Sequence, residues 1–338
     1  MKWRAGLLAI TLLLGAACSA RGEVEAETTD ELTERKAIFD AVEKAFQTRD
    51  YAALNRMAEE YRTRRARTPS GTWKLAMFYY AVEPYALDQN GAKCMPARED
   101  VLAEWASVDP EAPAPYIARA AALRSYGACL RGSAYARSTS SDAMNAMREQ
   151  MAEARAVLEK HRDAASVDPQ FYAVWIDMMK YDTRPDDDFE DLVDEAIGRE
   201  PYYHETYFSA ARYLEPKWHG APGAIERFAK HAEDEGDGEG MHARILWSLA
   251  GCDCGYEQLR DWPAMKASMD VVLERYPNDW NAAHFAAAAC GFGDVYAAEG
   301  FLGKVGKDDA SLWESYDGWQ RCRANVKDLQ TARGAAAS

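Results

Sequence analysis

Several catalytic signatures are missing from this 338-residue sequence. Its six histidines form no HExxH pair, and neither a GxSxG elbow nor a glycine-rich phosphate loop occurs. An excess of positive charge is also missing, because 55 acidic residues against 40 basic ones leave a formal charge of −15. That sign opposes binding to a phosphate backbone, so nucleic acid is not expected as a partner.

Patterns that would hold a metal or a cofactor are equally scarce. The sequence contains no pair of CxxC-like clamps and no histidines at ligand spacing, so a zinc site is not expected. The acidic runs at 186–191 and 233–239 lack the ligand spacing of an EF-hand, and we expect them to be a helix start and a solvated loop. The sequence therefore predicts no metal and no cofactor.

The chain begins with a secretory signal pattern. Lys2 and Arg4 precede an apolar run of 13 residues, 5–17, that carries no charge. As a helix this run would rise only about 20 Å, against about 30 Å of hydrocarbon, so it is not a permanent membrane span. No later run is apolar and long enough to cross a bilayer.

Two ends of this signal compete. The stretch 14–18, LGAAC, resembles the bacterial lipobox, in which Cys18 becomes the lipidated first residue of the mature chain. Ordinary cleavage near Ala17 or Ala20 is the alternative, and it would leave a soluble periplasmic or secreted protein. We expect the lipid-anchored form, which faces the periplasm and contacts the membrane through its N-terminal lipid.

Cysteine usage fits an exported protein. Six cysteines remain after Cys18, an even number that suits disulfides in an oxidising compartment: Cys94, Cys129, Cys252, Cys254, Cys290 and Cys322. Cys252 and Cys254 are too close in the chain to bridge each other easily. The order along the chain predicts that Cys94 pairs with Cys129 and that the 252/254 pair bonds to Cys290 and Cys322.

The hydrophobic periodicity is helical along nearly the whole chain. Asp30 and Asp50 are predicted to cap two helices near the start of the mature protein. Further on, Met144, Met147 and Met151 begin a stripe with steps of three and four, which indicates packing against a neighbouring helix. No stretch alternates convincingly with period two, so the sequence predicts an all-α fold.

Recurrent prolines change the expected architecture from a bundle to an array. Pro169, Pro201 and Pro277 each follow a helix end and precede a stripe of aromatic or small residues, and Pro110 is a poorer copy. This arrangement resembles the tetratricopeptide repeat, in patches over 110–325. The resemblance implies a tetratricopeptide-like helical-hairpin array, an irregular α-solenoid, because the proline spacing is uneven.

A second resemblance rests on three longer segments. TPSGTWKL at 68–75 with Phe78, PKWHG at 216–220, and FAAAAC at 285–290 with Asp294 look like a bacterial family of tetratricopeptide-like proteins of unknown function. The resemblance implies an exported or cell-envelope helical protein with no assigned activity. It supplies no catalytic residues.

These observations predict five consecutive regions. A signal peptide spans 1–17, a flexible tether 18–29, an N-terminal helical region 30–162, the tetratricopeptide-like array 163–328, and a disordered tail 329–338. Stacked helix pairs expose a surface suited to an extended ligand. We therefore expect a cell-envelope scaffold that holds a peptide or protein partner in a helical groove without catalysis.

The repeat resemblance selects the residues that would face this groove. They are amphipathic or polar where a core position would be apolar: Ile176, Lys180, Glu205, Phe208, Arg212, Asn281 and His284. The competing hypothesis for the same positions is an ordinary solvated helix face. The alternative function is a cell-wall or glycan hydrolase that uses a carboxylate pair, because ten tryptophans and 18 tyrosines would suit a sugar groove.

Overall fold

The computed structural model describes residues 30–88, 93–182, 188–235, 239–250, 261–306, 312 and 319–336. The signal peptide, the tether with Cys18, and the cysteines at 252 and 254 lie outside these residues. Within them the chain is all-α and contains no β-strand, only two isolated bridges. The predicted fold class is confirmed.

Sixteen α-helices follow one another in the described residues. Their bounds are α1 (Glu31–Gln47), α2 (Tyr51–Thr63), α3 (Lys74–Ala86), α4 (Glu99–Val108), α5 (Ala114–Arg131), α6 (Ser141–Lys160), α7 (Arg162–Ala165), α8 (Pro169–Met179), α9 (Phe189–Arg199), α10 (His204–Tyr213), α11 (Ala224–Glu235), α12 (Met241–Ala250), α13 (Trp262–Arg275), α14 (Asp279–Gly291), α15 (Val295–Leu302) and α16 (Trp319–Ala336).

Local signals set several of these boundaries. The carboxylates of Asp30 and Asp50 each accept a hydrogen bond of 2.9 Å from a backbone N–H in the first turn, so both cap their helices as predicted. Pro169 is the first residue of α8, where its missing N–H costs nothing. Pro201 and Pro277 lie in the turns that lead into α10 and α14.

Helical hairpins stack into an array. The first helices of consecutive hairpins pack side by side, α3 on α5, α5 on α8, α8 on α10 and α10 on α12. The second helices, α6, α9, α11 and α13, lie against their own first helices or the next one. The methionine stripe packs as expected, since Met147 and Met151 are buried where α6 meets α5.

The N-terminal part of the chain folds back onto the array. Helix α1 packs on α3, and the guanidinium of Arg35 lies 4.4 Å from the ring centroid of Trp280 in α14. Helix α3 reaches two later hairpins, because Tyr79 donates a 2.8 Å hydrogen bond to Asp168, the cap of α8, and Tyr80 donates one to Glu205 in α10. Helices α1 and α3 therefore contact the later helices α8, α10 and α14 through these side chains.

Two disulfides lie within the described residues. Cys94 bonds to Cys129, as predicted, and joins the segment before α4 to the end of α5. Cys290 bonds to Cys322 and joins the end of α14 to α16. The predicted pairing of these two cysteines with the 252/254 pair is therefore wrong, because α14 and α16 pack together and bring their own sulfurs into reach.

Among the described residues, no helix combines the length and the apolar character needed to cross a membrane.

Candidate functional site

Seven polar side chains from four first helices form one cluster, six of them around the buried carboxylate of the seventh. We call them the Asp177 cluster: Tyr80 and Glu83 of α3, Arg124 of α5, Asp177 of α8 with Lys180 at its end, and Glu205 and Arg212 of α10. The cluster exists because α3, α5 and α10 all come close to α8 or to each other. Distant parts of the sequence thereby contribute to one site.

Asp177 is the centre of the cluster. Its carboxylate accepts a 2.6 Å hydrogen bond from Lys180 Nζ and a 2.7 Å bond from Arg124 Nη1, and Arg212 Nη1 lies 4.0 Å away. Burial opposes ionisation of this carboxyl, but Lys180, Arg124 and Arg212 outweigh burial and lower its pKa below the ordinary value. Asp177 is therefore a permanent anion that holds three cations in place.

Glu205 has the opposite electrostatic behaviour. Burial raises its pKa, although Tyr80 donates a 2.6 Å hydrogen bond to its Oε2 and Arg212 also favours the charged form. The negative charge of Asp177 contributes to the rise. The site thus contains two carboxyl groups whose pKa values are driven in opposite directions.

Arg212 has unused hydrogen-bonding capacity. Its guanidinium carries five N–H donors, yet its side chain makes no hydrogen bond within the described residues, and its one ion pair there is the 4.0 Å approach to Asp177. The side chain keeps 36% of its surface exposed, and the neighbouring Tyr80 keeps 41%. Together with Glu83, whose side chain is also 36% exposed, this pair forms the accessible edge of the cluster.

Aromatic and basic side chains continue this edge. The rings of Tyr181 and Trp218 meet edge to face at 5.2 Å, and Arg131 lies 5.2 Å over the ring of Trp218. Burial and the charge of Asp177 raise the pKa of Tyr181 to about 12. All of these side chains are half-buried, so the edge combines flat apolar surface with positive charge.

The histidine of the PKWHG segment, His219, is part of the packing of the fold. His219 stacks on Tyr213 at 4.6 Å, and its Nε2 lies 3.2 Å from the carbonyl of Lys180. A Cβ atom on Gly220 would lie 1.7 Å from the carbonyl oxygen of Leu214, so only glycine fits this turn. The segment thereby closes α10 and places Trp218 beside Tyr181.

Most of the predicted groove residues are not accessible. Ile176, Lys180, Glu205 and Asn281 are buried, so the expectation that they face a ligand is wrong. Glu205 is bonded to Tyr80 of α3, Asn281 to the Ser70 carbonyl before α3, and Lys180 to Asp177 of its own helix, so these polar groups are already used within the fold.

Three predicted groove residues keep partial exposure: Phe208, Arg212 and His284. Of these, the structure brings Arg212 into the Asp177 cluster, whereas Phe208 lies 6.2 Å from the ring of His204. His284 stacks on Trp280 at 4.0 Å, beside the N-terminal helix, and its Nδ1 lies 2.8 Å from the Trp280 carbonyl. The seven residues therefore do not form one surface.

A second buried cluster links the N-terminus to the later hairpins. Glu239 accepts hydrogen bonds from Arg67 at 3.3 and 3.4 Å and from the Tyr276 hydroxyl at 3.1 Å, and His204 Nε2 lies 3.2 Å from its carboxylate. Burial, the charge of Arg244 and the charge of Arg67 lower the pKa of His204 to about 3, so its ring is neutral at pH 7. This Glu239 cluster belongs to the packing of the fold, and the acidic run 233–239 is not a solvated loop at Glu239.

Among the described residues, no group of three or more His, Cys, Asp or Glu side chains is arranged to hold a metal ion.

Sequence reasoning missed Tyr80, Arg124 and Asp177. One signal was present, because Asp177 is the sole charged residue of helix α8, whose other residues are apolar or aromatic apart from Gln170. A charge in such a helix requires a partner, and the sequence does not say that the partner is Arg124 on another hairpin.

Comparison with known proteins identifies no relative of this chain. A scan against family models finds no match to this chain, and searches of curated proteins and of solved structures find no match either.

Proposed function

We propose that this chain is a partner-binding helical array that holds an acidic segment of another protein at the exposed edge of the Asp177 cluster, without catalysis. The observation that carries the proposal is Arg212, a half-buried guanidinium with unused donors, fixed beside the exposed ring of Tyr80. A carboxylate matches this geometry because a guanidinium binds it through two parallel hydrogen bonds.

The charge of the site supports an acidic partner. Arg124, Lys180 and Arg212 contribute three positive charges, while Asp177 and Glu83 contribute two negative ones. Glu205 is a third carboxyl group of the cluster, and burial raises its pKa above the ordinary value. On a chain whose formal charge is −15, an acidic group would be attracted to this edge by Arg212, which makes no hydrogen bond within the described residues.

The aromatic edge supports a polypeptide rather than a free ion. Tyr80, Tyr181 and Trp218 offer rigid flat surfaces next to the cationic groups. Aromatic residues and arginine are the residue types that dominate binding energy in protein interfaces. An acidic side chain or terminal carboxylate flanked by apolar residues would use both parts of the edge.

The proposal includes a place in the cell. We propose export through the signal at 1–17 and lipidation at Cys18, which would hold the array in the bacterial cell envelope on the periplasmic side. The two described disulfides support an oxidising compartment. Mass spectrometry of the mature N-terminus tests this part: a lipidated Cys18 is expected, and an unmodified terminus at or beyond Cys18 would contradict it.

The binding claim is tested by charge reversal at the edge. Envelope extract is passed over immobilised wild-type protein, the Arg212→Glu variant and a Lys230→Glu control, and retained proteins are identified. Lys230 is an exposed lysine on α11, so the control makes the same charge change away from the cluster. A partner retained by wild type and control but lost with Arg212→Glu is expected; equal retention by all three would refute the site.

One observation favours the hydrolase alternative. Asp177 and Glu205 lie on adjacent helices, and their pKa values move in opposite directions, as in a pair of an ionised and a protonated carboxyl group. Against it, Asp177 already binds Lys180 and Arg124 through both oxygens. Release of sugars from dye-labelled cell-wall glycan by wild type, abolished in Glu205→Gln, would favour the enzyme and overturn the binding proposal.

A further inference from the structure

Pro69 and Ser70, at the tip of the segment 67–73, contact the array through their main-chain carbonyls, while Arg67 and Trp73 at its two ends contact it through their side chains. The carbonyl of Pro69 accepts a 2.7 Å hydrogen bond from Asn278 Nδ2. The carbonyl of Ser70 accepts bonds of 3.2 Å from both Asn281 Nδ2 and Arg244 Nη2. Three side chains from α12 and the start of α14 therefore donate hydrogen bonds to two successive peptide carbonyls. The segment that carries these carbonyls lies 174 to 211 residues away in the chain.

The fit is close enough to require glycine at one position. Gly71 has a φ of +83°, and a Cβ atom there would lie 2.6 Å from a ring carbon of Tyr276 and 2.9 Å from Arg244 Nη2. A residue with a side chain would therefore clash with the same surface that binds the carbonyls. The backbone itself lies against α12 and the turn before α14.

We propose that Arg244, Asn278 and Asn281 form a peptide-binding site for a short hairpin with a Pro-Ser-Gly turn, and that the chain's own segment 67–73, whose ends pair at Arg67 and Trp73, occupies it. Side-chain amides and a guanidinium that bond to carbonyls recognise a main chain rather than a particular side chain. Asn278 and Asn281 each also donate to the Tyr276 carbonyl, at 3.0 Å, which fixes their orientation toward the segment. This site is separate from the Asp177 cluster and does not depend on the proposed function.

The segment is held from its other side by Glu31. This buried carboxylate of α1 accepts hydrogen bonds from the backbone N–H of Ser70 at 2.7 Å, from its hydroxyl at 2.8 Å and from the Thr68 hydroxyl at 3.0 Å. Because Glu31 lies outside the peptide-binding site, its removal loosens the segment while the three recognition side chains stay in place. The loss of Glu31 and a side chain at position 71 are thus two independent ways to weaken the hold of the segment on the site.

The test supplies the segment as a separate molecule. A fluorescent peptide with the sequence of 64–74 is titrated into the full-length wild type, Gly71→Ala, and Gly132→Ala. Gly132 has a φ of +75°, and a Cβ atom there would have no neighbour within 4 Å, so its substitution imposes similar backbone strain without the clash. We expect the peptide to bind Gly71→Ala at least about ten-fold more tightly than either of the other two proteins.

A second pair of variants keeps the test decisive if Gly71→Ala does not fold. Glu31→Ala is expected to bind the peptide, and Glu31→Ala with Asn281→Ala is expected to lose that binding. Peptide binding to wild type and emptied variants with equal affinity, or to none of the folded variants, would overturn the proposal. Binding that survives the Asn281 change would also overturn it.

Discussion

Removal of the charge on Glu239 is expected to destabilise the whole fold. In Glu239→Gln, the cationic Arg67 and Arg244 lose the anion on which they converge, and Arg67 has only 17% of its side chain exposed. Burial raises the pKa of Glu239, but the hydrogen bond with His204 and the charges of Arg67 and Arg244 lower it to about 2, from 4.5. That difference corresponds to roughly 3 kcal/mol in favour of the folded, ionised state at neutral pH.

This magnitude agrees with the cost of breaking a buried ion pair, which is about 3–5 kcal/mol. Urea-induced unfolding followed by circular dichroism measures the free energy of unfolding at pH 7. The matched control is Asp270→Asn, because Asp270 pairs with Lys266 on the surface with close to half of each side chain exposed. An exposed pair is worth at most about 1 kcal/mol.

The pH dependence of the free energy of unfolding tests the ion pairs of Glu239 a second time. A carboxyl whose pKa is lowered in the folded state adds stability that is complete above pH 4.5 and is lost as the pH falls toward about 2. The Glu239→Gln variant should lack this loss. A variant whose free energy of unfolding stays within about 1 kcal/mol of the Asp270→Asn control would refute the assignment of Glu239 as a buried anchor.

Three further changes test other contacts. Replacement of Cys94 and Cys129 by serine should lower the free energy of unfolding by about 3–4 kcal/mol, because the bond closes a 35-residue separation, and an unchanged value in non-reducing buffer would contradict the disulfide. His204 has a pKa lowered by burial to about 3, so the free energy of unfolding of the wild type should fall as the pH drops from 6.5 toward 3. His204→Gln should make the free energy of unfolding less dependent on pH in this range. A slope equal to that of the wild type would contradict the neutral buried histidine. Burial raises the pKa of Asp168 to about 6, so its contribution to the free energy of unfolding is complete below pH 3.8 and is lost as the pH rises through 6. Urea titrations from pH 3.5 to 7 should no longer show this loss in Asp168→Asn. A curve equal to that of the wild type would exclude the buried carboxyl.

Local features of the fold were predictable from the sequence. Asp30 and Asp50 cap helices because an aspartate before an amphipathic stretch satisfies orphan N–H groups within the next turn. Pro169 marks a hairpin turn for an equally local reason, its missing N–H. The Cys94–Cys129 bond followed from the order of cysteines along the chain.

The candidate site was not predictable because its contacts are distant in sequence. Tyr80 meets Glu205 across 125 residues, and Arg67 meets Glu239 across 172. The repeat pattern assigns helix faces on the assumption that the inner surface is open. That assumption fails at Asn281, which binds the chain's own Ser70, and nothing in the periodicity of α14 announces a covering segment.

Site-specific photocrosslinking tests the partner-binding claim most directly. The photoreactive amino acid p-benzoylphenylalanine replaces either Tyr80, which is 41% exposed in the Asp177 cluster, or Tyr296, which is 64% exposed on α15. Illumination in intact cells, followed by mass spectrometry, identifies any protein joined to the array and the segment that is joined. We predict an acidic segment crosslinked from position 80 and not from 296; crosslinks from 296 alone, or none from 80, would contradict the account.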